Sequence, residues 1–320
     1  NCIMANHKIP FAFPDEVIKA SKKIDTVIHE DPKRWDLRDL QMVTIDGEDA
    51  KDLDDAVSGR KLPNGNYELG VHIADVSHYV TSGQAIDNEA YKRGTSVYLV
   101  DRVVPMLPEV LSNGICSLNA HEDRYAMTCM MEIDDSGTVV NYRIRPSIIH
   151  VGRRCSYKEV YKALEENIIP DDLQDFMPML RDLAEVSKVL NRMRRRRGAL
   201  DFDFPEYKVL LDLDGTPLRI VKRDRTMAER LIEECMLIAN ETVATHLKNT
   251  RRTSVYRIHE SPSEEKLDLF QKVLNYLGQN LVLSAEGVTP RDFQKILDAV
   301  KGQDIEQVAQ IMTLRSMQQA

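Results

Sequence analysis

Apolar positions alternate with polar ones through the first half of the chain and recur at helical spacing through the second. Apolar runs at 53–58, 67–74, 96–100, 126–133 and 138–151 are separated by turn residues, which predicts a β-rich stretch over 41–150. Pro63-Asn64-Gly65-Asn66 and Asp134-Asp135-Ser136-Gly137 suit hairpins, because Asn, Asp and Gly tolerate the left-handed backbone of tight turns. A short helix is expected near 85–93. Ahead of the strands, Pro14-Asp15 opens one short helix through Val17, Ile18 and Ile24, and Asp31-Pro32 breaks it. Residues 156–197 read as helical and end in Arg192, Arg194, Arg195, Arg196 and Arg197, with Gly198 suited to the left-handed position after a helix. Strands at 207–213 and 218–223 are joined by Asp214-Gly215. A long helix follows over 226–248, then a short strand at 253–258 and helices at 263–278, 289–300 and 304–320. No repeat or low-complexity linker intervenes. The expected fold is one large α/β (α+β) domain: a mixed or antiparallel β-rich first half, with helices of the second half packed around it.

Composition narrows the class. The 320 residues are 42% hydrophobic and 29% charged, which is globular and not membrane-like. No apolar run reaches the roughly 18–20 residues that span a bilayer. The five cysteines are odd in number and form no C-x-x-C, so a reducing, cytoplasmic setting is expected. The first residue is Asn1, and the last helical pattern has no stop signal, so a fragment of a longer protein is expected. The net charge of −8 argues against a general nucleic-acid coat unless the acids are concentrated in one place.

They are concentrated. TIDGEDAKDLDDAV, residues 44–57, holds Asp46, Glu48, Asp49, Asp52, Asp54 and Asp55, offset only by Lys51. Carboxylates this close repel unless cations join them or protons bind. In an extended chain Asp52 and Asp54 point to one side, and Asp55 joins them only if the chain kinks. Asp46 ends the preceding strand, and Gly47 lets the chain turn. Hard oxygens without His or Cys favour Mg²⁺ or Mn²⁺, and a pair of such ions suits phosphodiester hydrolysis. An EF-hand reading fails, because Ala50 and Val57, or Ala56 and Pro63, stand at its positions five and twelve. A solvated acidic turn remains open on spacing alone.

The same stretch resembles the signature of the RNB family of exoribonucleases. GVHIADVSHYV (70–80), RGTSVYLVDRVVPMLP (93–108), RGALDF (197–202), AERLIEECMLIAN (228–240) and VYRIHESP (255–262) match further motifs in the family's order. DLRDL and RGALDF are closer to the ribonuclease R branch than to ribonuclease II. The resemblance implies a single RNB catalytic domain over 36–320, preceded by a lead-in segment, 1–35, from an upstream OB-type domain. It implies a processive 3′→5′ exoribonuclease that degrades single-stranded RNA to nucleoside 5′-monophosphates with Mg²⁺. Asp46, Asp52, Asp54 and Asp55 match the catalytic, metal-holding aspartates. Tyr98 and Phe202 match aromatics that pack on the 3′-terminal nucleotide, and Tyr157 one that sets the final product length. One of Glu233 and Glu234 matches a glutamate near that nucleotide. The family's downstream Ser-Pro-Ile-Arg-Arg-Tyr motif is not reached, so reduced activity is expected of this fragment. A monomer without membrane contact is expected, with OB-type RNA-binding domains flanking it in the full-length protein.

Each feature also has a plainer reading. Tyr98 and Phe202 suit core aromatics as well as base-stacking platforms. The arginine run suits a helix end as well as a phosphate-tracking wall. His72 and His78 suit structural hydrogen bonds better than acid–base work. Glu233 and Glu234 fall in an apolar helix pattern and need partners. Arg257 and His259, alternating on the strand expected at 253–258, are candidate phosphate contacts. A non-catalytic RNA-binding or scaffold relative is the alternative function. A Mg²⁺ phosphatase acting on small substrates has no nucleotide-binding fingerprint to support it.

Overall fold

In the computed structural model, which describes residues 2–202, 204–223, 225–276, 278 and 288–319, the chain begins with helices α1 (Cys2–Asn6) and α2 (Asp15–Ser21). Strands β1 (Trp35–Leu37), β2 (Val43–Asp46), β3 (Asp55–Lys61) and β4 (Tyr67–Ala74) follow. Next come α3 (Val76–Tyr79), α4 (Ala85–Arg93), and the small hairpin β5 (Val97–Tyr98) and β6 (Val103–Val104). Strands β7 (Asp123–Ile133), β8 (Val139–His150) and β9 (Arg153–Ser156) lead into α5 (Tyr157–Glu165) and α6 (Met177–Arg197). A second hairpin, β10 (Glu206–Leu211) and β11 (Pro217–Arg223), precedes α7 (Met227–Asn249), α8 (Glu264–Tyr276), α9 (Pro290–Val300) and α10 (Glu306–Ser316).

Seven strands form one mixed sheet in the order β1-β8-β7-β4-β3-β2-β9. Its interior pairs are antiparallel, and both edge pairs, β1–β8 and β2–β9, are parallel. The turn residues set the hairpins: Gly65 and Gly137 adopt φ of +91° and +88°. The sheet separates two cores. On one face Val57, Leu69, Val71, Cys129 and Met131 are buried. Leu183 of α6 lies over Gly59 there, and Thr242 of α7 reaches Met131. On the other face Ala56, Ala74, Ala126 and Ile149 pack with Val17 of α2, Ile86 of α4 and the segment from Leu107 to Leu118.

That second face also carries a buried polar chain. Ser58 Oγ meets His72 Nε2 at 3.0 Å, His72 Nδ1 meets Thr128 Oγ1 at 2.8 Å, and Thr128 meets Ser147 Oγ at 2.7 Å. Burial pushes the His72 imidazole down to about 3, so it stays neutral and structural.

The chain forms two compact units, Asn1–Lys188 with Tyr207–Val243, and Val189–Glu206 with Ala244–Ala320. The sheet belongs to the first. The second has its own core of Leu267, Phe270, Leu274, Phe293 and Ile296. Gly198 is left-handed there (φ +99°), as its place after the arginine run implies.

Several expectations are corrected. The helical stretch 156–197 is broken between α5 and α6, because Asn167 turns left-handed and Pro170 cannot continue a helix. The strand expected at 253–258 does not form. Among the described residues Val255, Tyr256 and Ile258 have no partner strand, and all three stay exposed. The shared strand face drawn for Arg257 and His259 goes with it. Ile24 lies beyond the end of α2, and α10 stops at Ser316. Cys116, Cys129, Cys155 and Cys235 are free and buried. Among the described residues no helix is long and apolar enough to cross a membrane.

Candidate active site

The acidic stretch lies where β2 and β3 diverge. Asp46 is the last residue of β2, and Asp55 the first of β3. The register Val43↔Val57 carries Asp46 toward Asp54. Gly47 donates its amide to Asp46 Oδ1 at 2.7 Å, and Ala50 N donates to Gly47 O at 3.2 Å, closing a turn. Leu53 is buried, so the residues on either side of it, Asp52 and Asp54, are directed away from the core.

Two residues with no local sequence signal hold this loop. Ser117, fully buried, donates its hydroxyl to Lys51 O at 2.9 Å and accepts from Leu53 N at 3.1 Å. Arg154 of β9 directs one guanidinium nitrogen at three loop carbonyls: Gly47 (3.4 Å), Glu48 (3.1 Å) and Ala50 (2.7 Å).

The six acids divide into two sets. Lys158 lies 3.6 Å from Glu48, and Lys208 pairs with Asp49 at 2.8 Å. Lys208 holds the Asp49 carboxyl below its ordinary range. The other four form no ion pair among the described residues and act on one another. Burial and the Asp52 charge raise the Asp46 carboxyl, against the pull of the Gly47 amide, Arg154 and Arg223. Burial, Asp52 and Asp46 raise Asp54. Burial, Asp46 and Asp54 push Asp55 up to about 6. Among the described residues, no three His, Cys, Asp or Glu side chains converge tightly enough to hold a metal ion as they stand.

Two tyrosines join this cluster. Tyr98 of β5 is 66% exposed and donates its hydroxyl to Asp52 Oδ2 at 2.9 Å, which pushes the phenol up to about 12. Tyr157 opens α5. The parallel register Asp46↔Ser156 sets it next to the cluster, and burial with the charges of Asp46 and Asp55 pushes it up to about 12. Its helix starts at a capping box of Ser156 and Glu159.

The remaining candidates are placed as follows. On α7, Glu233 pairs with Arg225, while Glu234 is only 3% exposed and faces inward. The next residue, Cys235, is buried, and burial with the charges of Asp55 and Glu234 pushes its thiol up to about 12. Phe202 and Arg257 belong to the second unit, where Phe202 stacks on Phe204 at 5.6 Å. Arg257 lies in an exposed segment without regular structure.

Fold and site together define an α/β protein whose mixed sheet opens at one end onto clustered carboxylates and tyrosines. The chain belongs to the RNB domain family, which matches residues 34–320. It is 45% identical to Ribonuclease R 1 of Lactococcus lactis, over 99% of this chain and 39% of that protein. It is 45% identical to Ribonuclease R of Thermotoga maritima, over 99% of this chain and 45% of that protein. It therefore spans less than half the length of these relatives. Mycoplasma genitalium RNase R in complex with ribose-methylated single-stranded RNA superposes with a TM-score of 0.93 at 32% identity, covering 98% of this chain and 49% of that one. Yeast Ssd1, a pseudonuclease, shares the fold with a TM-score of 0.70 at 20% identity.

Proposed function

We propose that this chain is the catalytic domain of a processive 3′→5′ exoribonuclease that hydrolyses single-stranded RNA to nucleoside 5′-monophosphates in cytoplasmic RNA turnover. It works as a monomer, with the 1–35 segment leading in from an OB-type domain and 36–320 forming the catalytic part. One observation carries the reading: among the described residues four aspartates cluster without an ion pair, while the two other acids of the same loop are paired with lysines. Leaving four carboxylates to repel one another is unfavourable unless cations are to be bound.

Asp46, Asp52, Asp54 and Asp55 would hold Mg²⁺, with Mn²⁺ able to replace it, because the donors are hard oxygens with no His or Cys among them. When bound, such ions lower the pKa of a water nucleophile and stabilise the leaving oxygen. The chain's own residues supply the rest. The exposed ring of Tyr98 offers a stacking surface beside the aspartates, and base stacking tolerates any sequence. Phe202 matches the family's second stacking aromatic, Tyr157 limits the end product, and Glu233 or Glu234 and Arg257 contact the RNA.

The test is degradation of a 5′-labelled single-stranded RNA in Mg²⁺ or EDTA. EDTA abolishes decay, and Asp54→Asn abolishes it while RNA binding survives. Turnover by Asp54→Asn at the wild-type rate would remove the carboxylates from the reaction.

A further inference from the structure

Arg154 stands beside the densest run of acids in the chain, yet among the described residues it forms an ion pair with none of them. Its neighbour Arg153 behaves as arginines usually do, pairing with Glu159 and Asp172 at 3.1 and 2.9 Å. Arg154 instead spends one nitrogen on the carbonyls of Gly47, Glu48 and Ala50. Its backbone is anchored by the parallel pairing Thr44↔Arg154, two residues before Asp46. A cation is thus fixed next to the cluster without an ion pair to any of its carboxylates among the described residues. The same contacts bend residues 47–50 so that the chain returns from Asp46 to Asp52. Ser117 grips the far side of the loop at Lys51 and Leu53. With both holds in place, the loop is pinned by hydrogen bonds to Gly47, Glu48, Ala50, Lys51 and Leu53, the stretch that joins Asp46 to Asp52.

We infer that Arg154 is a positioning residue for the cation-binding aspartates: its guanidinium fixes the 47–50 loop through backbone carbonyls and so sets the spacing of Asp46 from Asp52, Asp54 and Asp55. This rests on the proposed function. An arginine suits the task because its planar fork keeps a fixed donor geometry, whereas a lysine ammonium is a mobile point charge. The rival role is direct contact with an RNA phosphate, which the exposure of Arg154 would permit.

The experiment compares wild type, Arg154→Ala and Arg154→Lys by three measurements. These are amide hydrogen exchange over 47–53 in EDTA, Mn²⁺ binding by calorimetry, and steady-state decay of single-stranded RNA. Arg154→Ala should speed exchange at Ala50 and Leu53, weaken Mn²⁺ binding about tenfold or more, and lower kcat with KM changed by less than about twofold. Arg154→Lys should recover part of each, and it carries the comparison if the alanine variant does not fold. Unchanged exchange and Mn²⁺ affinity would overturn the inference. A rise in KM alone would also overturn it and assign Arg154 to RNA. If wild type neither binds Mn²⁺ nor degrades RNA, the proposed function fails, while faster exchange in the variants still identifies Arg154 as the residue that holds the loop.

Discussion

Asp55 opens β3 with a carboxyl pushed from its ordinary 3.8 to about 6 by burial and by the charges of Asp46 and Asp54. The folded chain binds this proton more tightly than the unfolded chain does. Stability from this group is therefore complete below about pH 4, falls as pH rises through 6, and is lost above it. The difference corresponds to at most about 3 kcal/mol at neutral pH. Asp55→Asn should therefore be more stable than wild type at pH 7 in EDTA, by roughly 1–3 kcal/mol, with a flatter profile between pH 4 and 6. Urea unfolding across that range checks it, and a less stable variant would contradict it. The acids were legible in the sequence because they are contiguous. Ser117 and Arg154 were not. Their partners Leu53 and Ala50 lie 64 and 104 residues away, and neither GRRC nor ICSLN carries a local signal.

Among the elements, β4 shows how a periodic pattern becomes a site scaffold. Its bounds, Tyr67–Ala74, coincide with the apolar run read from the sequence, with a turn at 63–65 before it and α3 after it. Gly70 on this strand faces the buried polar chain. A Cβ there would stand 2.3 Å from Ser58 Oγ and 2.9 Å from His72 Nε2. Gly70→Ala should cost about 2–4 kcal/mol, because neither neighbour can move without breaking a buried hydrogen bond. Thermal unfolding measures this, and a Tm within about 2 °C of wild type would refute the close packing. Where periodicity misled, the cause was a missing partner or an overlooked breaker. Residues 253–258 read like a strand but pair with no strand among the described residues, and Pro170 interrupts an otherwise continuous helical pattern.

For the whole molecule, a net charge of −8 first argues against an RNA partner. Residues 44–57 hold six acids and one lysine, so much of that excess is the cluster itself. The chain spans 39% and 45% of the two Ribonuclease R relatives. Residues 1–320 alone should bind single-stranded RNA weakly, with affinity falling steeply as salt rises, and should cleave it slowly. Filter binding across a salt series and a decay assay check this; tight, salt-independent binding with processive decay would contradict it.

By itself, the sequence determined the α/β class, most strand and helix positions, the two hairpin turns, and the acidic stretch with its motif series. Those features are local or contiguous, written in periodicity, turn residues and charge. Only the tertiary structure decided the order of strands in the sheet, the two compact units, and the division of six neighbouring acids into paired and clustered sets. It also placed Tyr98 on Asp52 and Arg154 under the loop. The reason is physical: hydrogen bonds and charges act over a few ångströms of space, and only folding brings residues so far apart in sequence to that range.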